Sequence, residues 1–354
     1  MENKTMKALV YHGPNQLSLD DVPIPRIETP EDVILRVTLA TPCTSDVHLA
    51  VGHMPYVQPP SIIGHEFCGV IVEMGSAVQG FKVGDRVYSM PGVACGQCSM
   101  CLKGYTNHCE NGGTFGTVKG LDGALAEYVR LPYASEIMEH IPDELMDEDV
   151  LLLADMLGTA WFGVTNAEVK KGDTVAVFGV GPIGMCACLL AKNVFEAETV
   201  IAVDLIQNRL DVVQKEGFAD FVLNPNDGDV VKKIREITGG NMANSSVDTA
   251  GVASTINAAI RSTGHYGIVA TVAIFPKPIE VPIHFMTFRN IQLRTGIQRC
   301  DGLDIMLDLI KAGKINTSFM QTHRSPLNDV LKAMDIFGGN KDGCIKYIIT
   351  PYER

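Results

Sequence analysis

Positive charge is what the 354-residue sequence is short of: 29 lysines and arginines stand against 41 aspartates and glutamates, a net charge of −12, and no stretch is rich in basic residues. This balance argues against nucleic acid or an anionic membrane surface as the main partner and favours a small molecule. The N-terminus, MENKTMKALV, lacks an apolar run ahead of a small-residue cleavage site, so a cytoplasmic protein is expected. A membrane span is missing too. The longest uncharged stretch, Thr174 to Ala191, is punctuated by Gly179, Gly181, Pro182 and Gly184 after a β-branched run, which reads as strand, tight turn and helix. There is no low-complexity segment and no internal repeat. With 46 % apolar and 20 % charged residues the chain can bury a sizeable core, and its length fits about two domains.

Cysteine is plentiful and clustered. Of ten, four fall at Cys95, Cys98, Cys101 and Cys109 within CGQCSMCLKGYTNHC. Such crowding does not suit a disulfide framework in a reducing compartment, whereas short loops carrying four thiolates can surround a tetrahedral zinc ion at about 2.3 Å. An iron–sulfur cluster and four plain thiols are the alternatives. The bacterial ferredoxin run expects a short spacer and Cys-Pro after its third cysteine, but here seven residues intervene and Glu110 follows. A structural zinc lobe at 95–109 is the reading adopted. Cys68, Cys186, Cys188, Cys300 and Cys344 are read as thiols without a role.

From residue 6 to about 155, short β-branched segments separated by turns (KALVYHG, DVILRVTLA, CGVIVEMG, GDRVYSM, LAEYVRL) predict a mostly antiparallel, barrel-like domain. From Lys171 the rhythm becomes an alternation of strands and helices, TVAVFGV, TVIAVD, FVLN, SVDTA and GIVATVA being the strands, which predicts a doubly wound parallel sheet. The expected division is 1–158 with 297–354 for the first domain and 159–296 for the second, with hinges near Gly158 and Gly296. The fold class is therefore α/β, a Rossmann-type sheet beside a mostly β domain.

Gly179-Val180-Gly181-Pro182-Ile183-Gly184 fits G-x-G-x-x-G, a weak motif alone but here placed between a strand and an apolar helix. Gly179 makes the tight turn, Gly181 lets the backbone approach a pyrophosphate, and Gly184 permits close helix–strand packing. Asp204 follows Gly184 by 20 residues at the end of the next strand, where a carboxylate accepts hydrogen bonds from the ribose of NAD and repels the 2′-phosphate of NADP. Arg209 either contacts a phosphate or faces solvent. A purely structural glycine turn with a capping aspartate is the bland alternative.

Cys43-Thr44-Ser45-Asp46-Val47-His48 and Gly64-His65-Glu66 gather polar residues that a plain fold does not need together. The stretch GHEFCGVIVEMGSAVQGFKVGDRV, followed by the cysteine lobe and the glycine turn in that order, resembles the medium-chain, zinc-dependent alcohol dehydrogenases, whose first domain is GroES-like. The resemblance spans nearly the whole chain. It implies a catalytic zinc held by Cys43, His65 and, in LLLADMLGTAWFG, Asp155, with Glu66 as the acidic neighbour behind the metal and a possible ligand. This third ligand resembles bacterial secondary-alcohol dehydrogenases, several of which lack the cysteine lobe. Asp46 matches the carboxylate that orients the zinc-bound histidine, and Ser45 and His48 match the relay that carries the alcohol proton away. Val93, Phe115 and Ile297 match substrate-cleft positions, the alternative being that they are ordinary core residues, while His53, Met54 and Tyr56 form its rim or merely decorate the surface.

The resemblance therefore implies two zinc ions per chain, NAD(H), a small alcohol or ketone as substrate, and a homodimer or homotetramer. The expected reaction is hydride transfer between NAD(H) and a secondary alcohol or its ketone. A sorbitol- or threonine-type dehydrogenase of the same superfamily and a non-catalytic, zinc-stabilised nucleotide-binding protein are the alternatives.

Overall fold

The computed structural model describes residues 4–299 and 302–352, so Cys300 lies outside the described residues. Two compact units emerge: Met1–Asp155 with Thr317–Arg354, and Met156–Asn316. The first crossing, between Asp155 and Met156, lies close to Gly158, and the second, between Asn316 and Thr317, lies 20 residues beyond Gly296. Gly158 opens the helix Gly158–Asn166, and a Cβ on Gly296 would lie 2.8 Å from the Phe162 ring, so both glycines are held in packed structure. Residues 297–316, expected with the first domain, stay with the second. The strand Gln292–Thr295 ends its sheet, and the helix Leu303–Lys311 that follows buries Leu303, Met306 and Ile310.

In the first unit the strand Val33–Thr41 is the organising element. Its sequence VILRVTLAT is apolar nearly throughout because it is buried on both faces, and it pairs antiparallel with Glu66–Met74, Tyr128–Leu131 and Lys346–Thr350. The register sets Thr41 opposite Glu66 and Ala40 opposite Ile349. Three distant segments, at 41–43, 65–66 and 346, are thereby gathered at one end of this strand. Leu35, Val37, Phe67, Ile71, Phe115 and Val129 belong to the core beneath.

The second unit is a six-stranded sheet in the order Phe221–Leu223, Thr199–Val203, Thr174–Phe178, Ala243–Asp248, Thr263–Thr271, Gln292–Thr295, parallel throughout. The uncharged stretch from Thr174 resolves into the strand Thr174–Phe178 and the helix Pro182–Leu189, continued by a π-helical turn Leu190–Val194. Among the described residues no helix is long and apolar enough to cross a membrane. The strand order reverses between Thr174–Phe178 and Ala243–Asp248, the place where open α/β sheets bind ligands beyond their carboxyl ends.

Candidate active site and metal centres

Cys43, His65, Glu66 and Asp155 bring one ligand atom each to within 4.8 Å of one another. Cys43 precedes the helix Thr44–Ala50, His65 precedes the strand Glu66–Met74, and Asp155 sits in a π-helical turn, Leu153–Leu157. Two buried side chains tie the first two segments together. Asp46 accepts the Cys43 N–H at 2.8 Å through Oδ2 and the Gly64 N–H at 3.2 Å through Oδ1, and Oδ1 lies 3.6 Å from His65 Nδ1. Lys346, fully buried, donates from Nζ to Glu66 Oε1 at 2.6 Å and to the Pro42 carbonyl at 2.7 Å. His65 turns its other nitrogen, Nε2, toward Asp155 Oδ2 at 3.5 Å and Ser45 Oγ at 3.3 Å.

The charges of this cluster fit a cation. Burial pushes the Cys43 thiol up, and the Asp155 carboxylate adds to it. Burial likewise pushes the Glu66 carboxyl up, and the Lys346 ammonium at 2.6 Å pulls it back toward the ionised form. For His65 burial opposes the charged ring, but the Asp46 carboxylate together with Asp155 and Cys43 outweighs it and the pKa rises well above the ordinary histidine range. His65 Nδ1 and Glu66 Oε2 are buried with no hydrogen-bond partner among the described residues. A divalent cation bound by a thiolate, a carboxylate and a neutral imidazole supplies the positive charge that these groups share out imperfectly without it.

The four lobe sulfurs also lie within 4.8 Å of one another. Cys98 Sγ and Cys109 Sγ are 3.9 Å apart, close to the edge of about 3.8 Å that a tetrahedron of thiolates around zinc requires and far beyond a disulfide. Backbone N–H groups point at the sulfurs: Cys98 to Cys95 at 3.4 Å, Cys101 to Cys98 at 3.4 Å, Cys95 to Cys109 at 3.2 Å and Asn111 to Cys109 at 3.4 Å. Such donors stabilise the thiolate, the form that binds metal. At Cys95 burial raises the thiol, but the Asn111 side chain and backbone N–H donors outweigh it and bring it down to about 6.

In the second unit each glycine of the turn meets a distinct constraint. Gly179 adopts φ +84°, where a Cβ would strike Ala250 at 2.8 Å, and a Cβ on Gly184 would lie 1.9 Å from the Gly179 carbonyl oxygen. Gly181, by contrast, is open, its nearest neighbour being Arg209 Nη1 at 3.7 Å. Pro182 takes the first helical position and Ile183 the second. Asp204 is anchored to the turn, accepting the Val180 N–H at 2.6 Å and the Ile206 N–H at 2.8 Å. Arg209, left open between phosphate contact and solvent, lies beside this turn with Nη1 4.0 Å from Asp204 and most of its side chain covered.

Residues 29–143 match the alcohol dehydrogenase GroES-like domain family and residues 182–312 the zinc-binding dehydrogenase family. An alcohol dehydrogenase of Cupriavidus necator is 33% identical over 98% of this chain and 99% of its own. The chain belongs to the zinc-dependent medium-chain alcohol dehydrogenases. Among solved structures, a zinc-dependent alcohol dehydrogenase 2 from Streptococcus pneumoniae is 33% identical with a TM-score of 0.92, covering 99% of both chains. The 2R,3R-butanediol dehydrogenase of Bacillus subtilis is 27% identical with a TM-score of 0.87 over 98% of this chain and 100% of that one. Zinc and a nicotinamide cofactor are the groups this family of dehydrogenases uses.

The residues expected at the substrate cleft differ in burial. Phe115 is fully buried, edge-on to Phe67 with ring centroids 5.4 Å apart, and Val93 belongs to the same core, so both pack the first unit's interior. Ile297 is 67 % exposed and belongs to the second unit. Met54 is buried, whereas His53 and Tyr56 are exposed. Lys346 was not legible as a site residue: it stands 280 residues from Glu66, in IKYIIT, a stretch that reads only as a strand. The one available signal was a lone lysine in an apolar run.

The glycine turn yields a paired prediction. Gly184→Ala should cost about 1–3 kcal/mol of stability, since a backbone oxygen cannot move aside, whereas Gly181→Ala should melt like the parent while binding dinucleotide more weakly. Thermal unfolding and calorimetric titration with NAD check both, and a Gly184→Ala protein that melts like the parent would contradict the packing argument.

Proposed function

We propose that this dehydrogenase oxidises a secondary alcohol to a ketone, or the reverse, by exchanging hydride with NAD(H), using one catalytic and one structural zinc per chain. The buried Cys43–His65–Asp155 cluster carries the reading, because Lys346 already neutralises Glu66 and leaves the thiolate and the Asp155 carboxylate as the charges that a divalent ion would balance. Bound zinc supplies Lewis acidity toward the substrate oxygen, and NAD accepts the hydride.

The protein's own groups do the rest. Asp46, 3.6 Å from His65 Nδ1, directs Nε2 toward Cys43 and Asp155. Ser45 Oγ, 3.3 Å from His65 Nε2, stands where it can accept a proton from a substrate hydroxyl bound beside the ligands. His48 is half-buried, and burial first, then His53, lowers its pKa, which keeps the ring neutral and able to act as a base near pH 7. Glu66 is the possible ligand that this reading leaves aside, because Lys346 holds its Oε1. In the second unit Asp204 favours NAD, since a carboxylate fixed beside the glycine turn repels a 2′-phosphate. The butanediol enzyme among the similar structures favours a diol as a second reading, and vicinal diols contain the same secondary alcohol. The homodimer or homotetramer expected from the resemblance finds support in the strand Gln292–Thr295, an edge of its sheet, and in Phe288 nearby, 85 % exposed.

Elemental analysis should find about two zinc ions per chain. Asp155→Ala should lose one of them and most turnover while NAD binding in the second unit persists; a variant with both ions and parental turnover removes Asp155 from the ligand set. Since burial raises the Cys43 thiol, metal uptake at that site must release a proton, so affinity should rise with pH. Asp204→Gly should shrink the NAD-over-NADP ratio of kcat/KM by roughly 10-fold, about 1.4 kcal/mol. NAD⁺ reduction followed at 340 nm with secondary alcohols, diols and sorbitol tests the assignment, and a parent enzyme that prefers NADP would contradict the role given to Asp204.

A further inference from the structure

A proton that reaches His48 must leave it before the next turnover, and the structure puts a second imidazole against it. His48 Nδ1 and His53 Nδ1 are 3.1 Å apart, with ring centroids 5.4 Å apart and planes inclined by 33°. That is the length of an N–H···N hydrogen bond, which requires one ring to donate and the other to accept. The pair is built by the chain reversal after the helix Thr44–Ala50: the His53 N–H donates to the His48 carbonyl at 2.9 Å and the Asn15 N–H to the Ala50 carbonyl at 2.6 Å. Gly52 makes the reversal at φ +83°, where a Cβ would strike Pro14 at 2.8 Å. Among the described residues neither ring has another hydrogen-bond or ion-pair partner, and the only influences on His48 titration are burial and His53. His48 is half-buried while His53 is exposed.

We propose that His53 is a positioning residue that fixes the tautomer of His48 and carries its proton to solvent. The inference rests on the relay role given to His48 above. In the resting pair His48 bears its proton on Nδ1 and donates it to the bare Nδ1 of His53, whose own proton is on Nε2. When His48 gains a proton at Nε2, its Nδ1 proton moves to His53 Nδ1, and His53 releases the Nε2 proton to water. One proton enters, one leaves, and both rings end neutral with their tautomers exchanged; each ring then returns to its first tautomer by exchange with water, gaining a proton at one nitrogen and losing one at the other, so the net export of one proton stands. Two protonated rings have no such bond and repel each other, so the pair holds at most one proton between its facing nitrogens.

The test uses zinc-loaded protein with His53→Phe and His53→Gln, beside His48→Gln. Nitrogen-resolved NMR of the histidine rings reads the coupling without any turnover: His48 should show a single Nδ1-protonated tautomer in the parent and lose it in both His53 variants. In alcohol oxidation the acid limb of kcat/KM should move to higher pH, with a loss of roughly 10-fold below neutrality, restored by a higher concentration of phosphate buffer, and KM for NAD should not change. Unaltered His48 tautomer and pH profile in both variants would overturn the proposal, as would a loss equal at every pH that buffer does not restore. If His48→Gln oxidises alcohol like the parent, the relay reading itself fails, and the proposal with it; if His48→Gln is impaired and the His53 variants are not, only the inference about His53 falls.

Discussion

A fully buried ion pair, Lys346 with Glu66, is what the first unit's chemistry depends on. Its two members lie 280 residues apart in sequence, and the 2.6 Å contact between them forms only because the strand Val33–Thr41 accepts Glu66–Met74 and Lys346–Thr350 as partners. Burying either charge alone would be strongly unfavourable, so each requires the other. The same ammonium reaches the Pro42 carbonyl, one residue before Cys43, and Asp46 makes a second link between the Cys43 and Gly64 segments. The segments that carry Cys43, His65 and Glu66 are therefore held together by the chain's own hydrogen bonds.

This pairing also divides the charges at the site. Burial raises the lone thiol of Cys43 and the Glu66 carboxyl together, in a dry cluster shared with Asp46, His65, Asp155 and Lys346. With Glu66 assigned to Lys346, the remaining acidic ligands, Cys43 and Asp155, match a divalent ion, and a site near electroneutrality leaves the metal free to act on a substrate oxygen. The second unit contributes a different kind of preparation. Its turn is shaped by contacts that no side chain can relax at Gly179 and Gly184, yet it is left open at Gly181.

Local patterns carried much of this into the sequence. The cysteine spacing, the glycine turn and the alternation of strands and helices are short-range features, and the sheet order and the sulfur cluster follow them closely. Cys43, His65 and Asp155 come together as the resemblance to zinc dehydrogenases implied, since their assembly is a property of the shared fold. Lys346 stayed hidden because its partner is set by long-range register, which no local window records. The π-helical turn that carries Asp155 left no mark in LLLADMLG, and the second unit extends to Asn316, beyond Gly296, which packs against Phe162. Phe115 and Val93 stood between cleft and core because apolar residues of either role look the same in sequence; both belong to the buried cluster of the first unit, where Phe115 packs edge-on against Phe67.

The central claim is the division of charge between metal and lysine, and a crystal structure of the zinc-loaded enzyme, with the metal located by its anomalous signal, tests it most directly. The account predicts zinc bound by Cys43 Sγ, His65 Nε2 and an Asp155 carboxylate oxygen, with Glu66 still paired to Lys346 Nζ. Zinc ligated by Glu66 with the Lys346 contact broken, or no anomalous density among these residues in a protein that retains its lobe zinc, would contradict it.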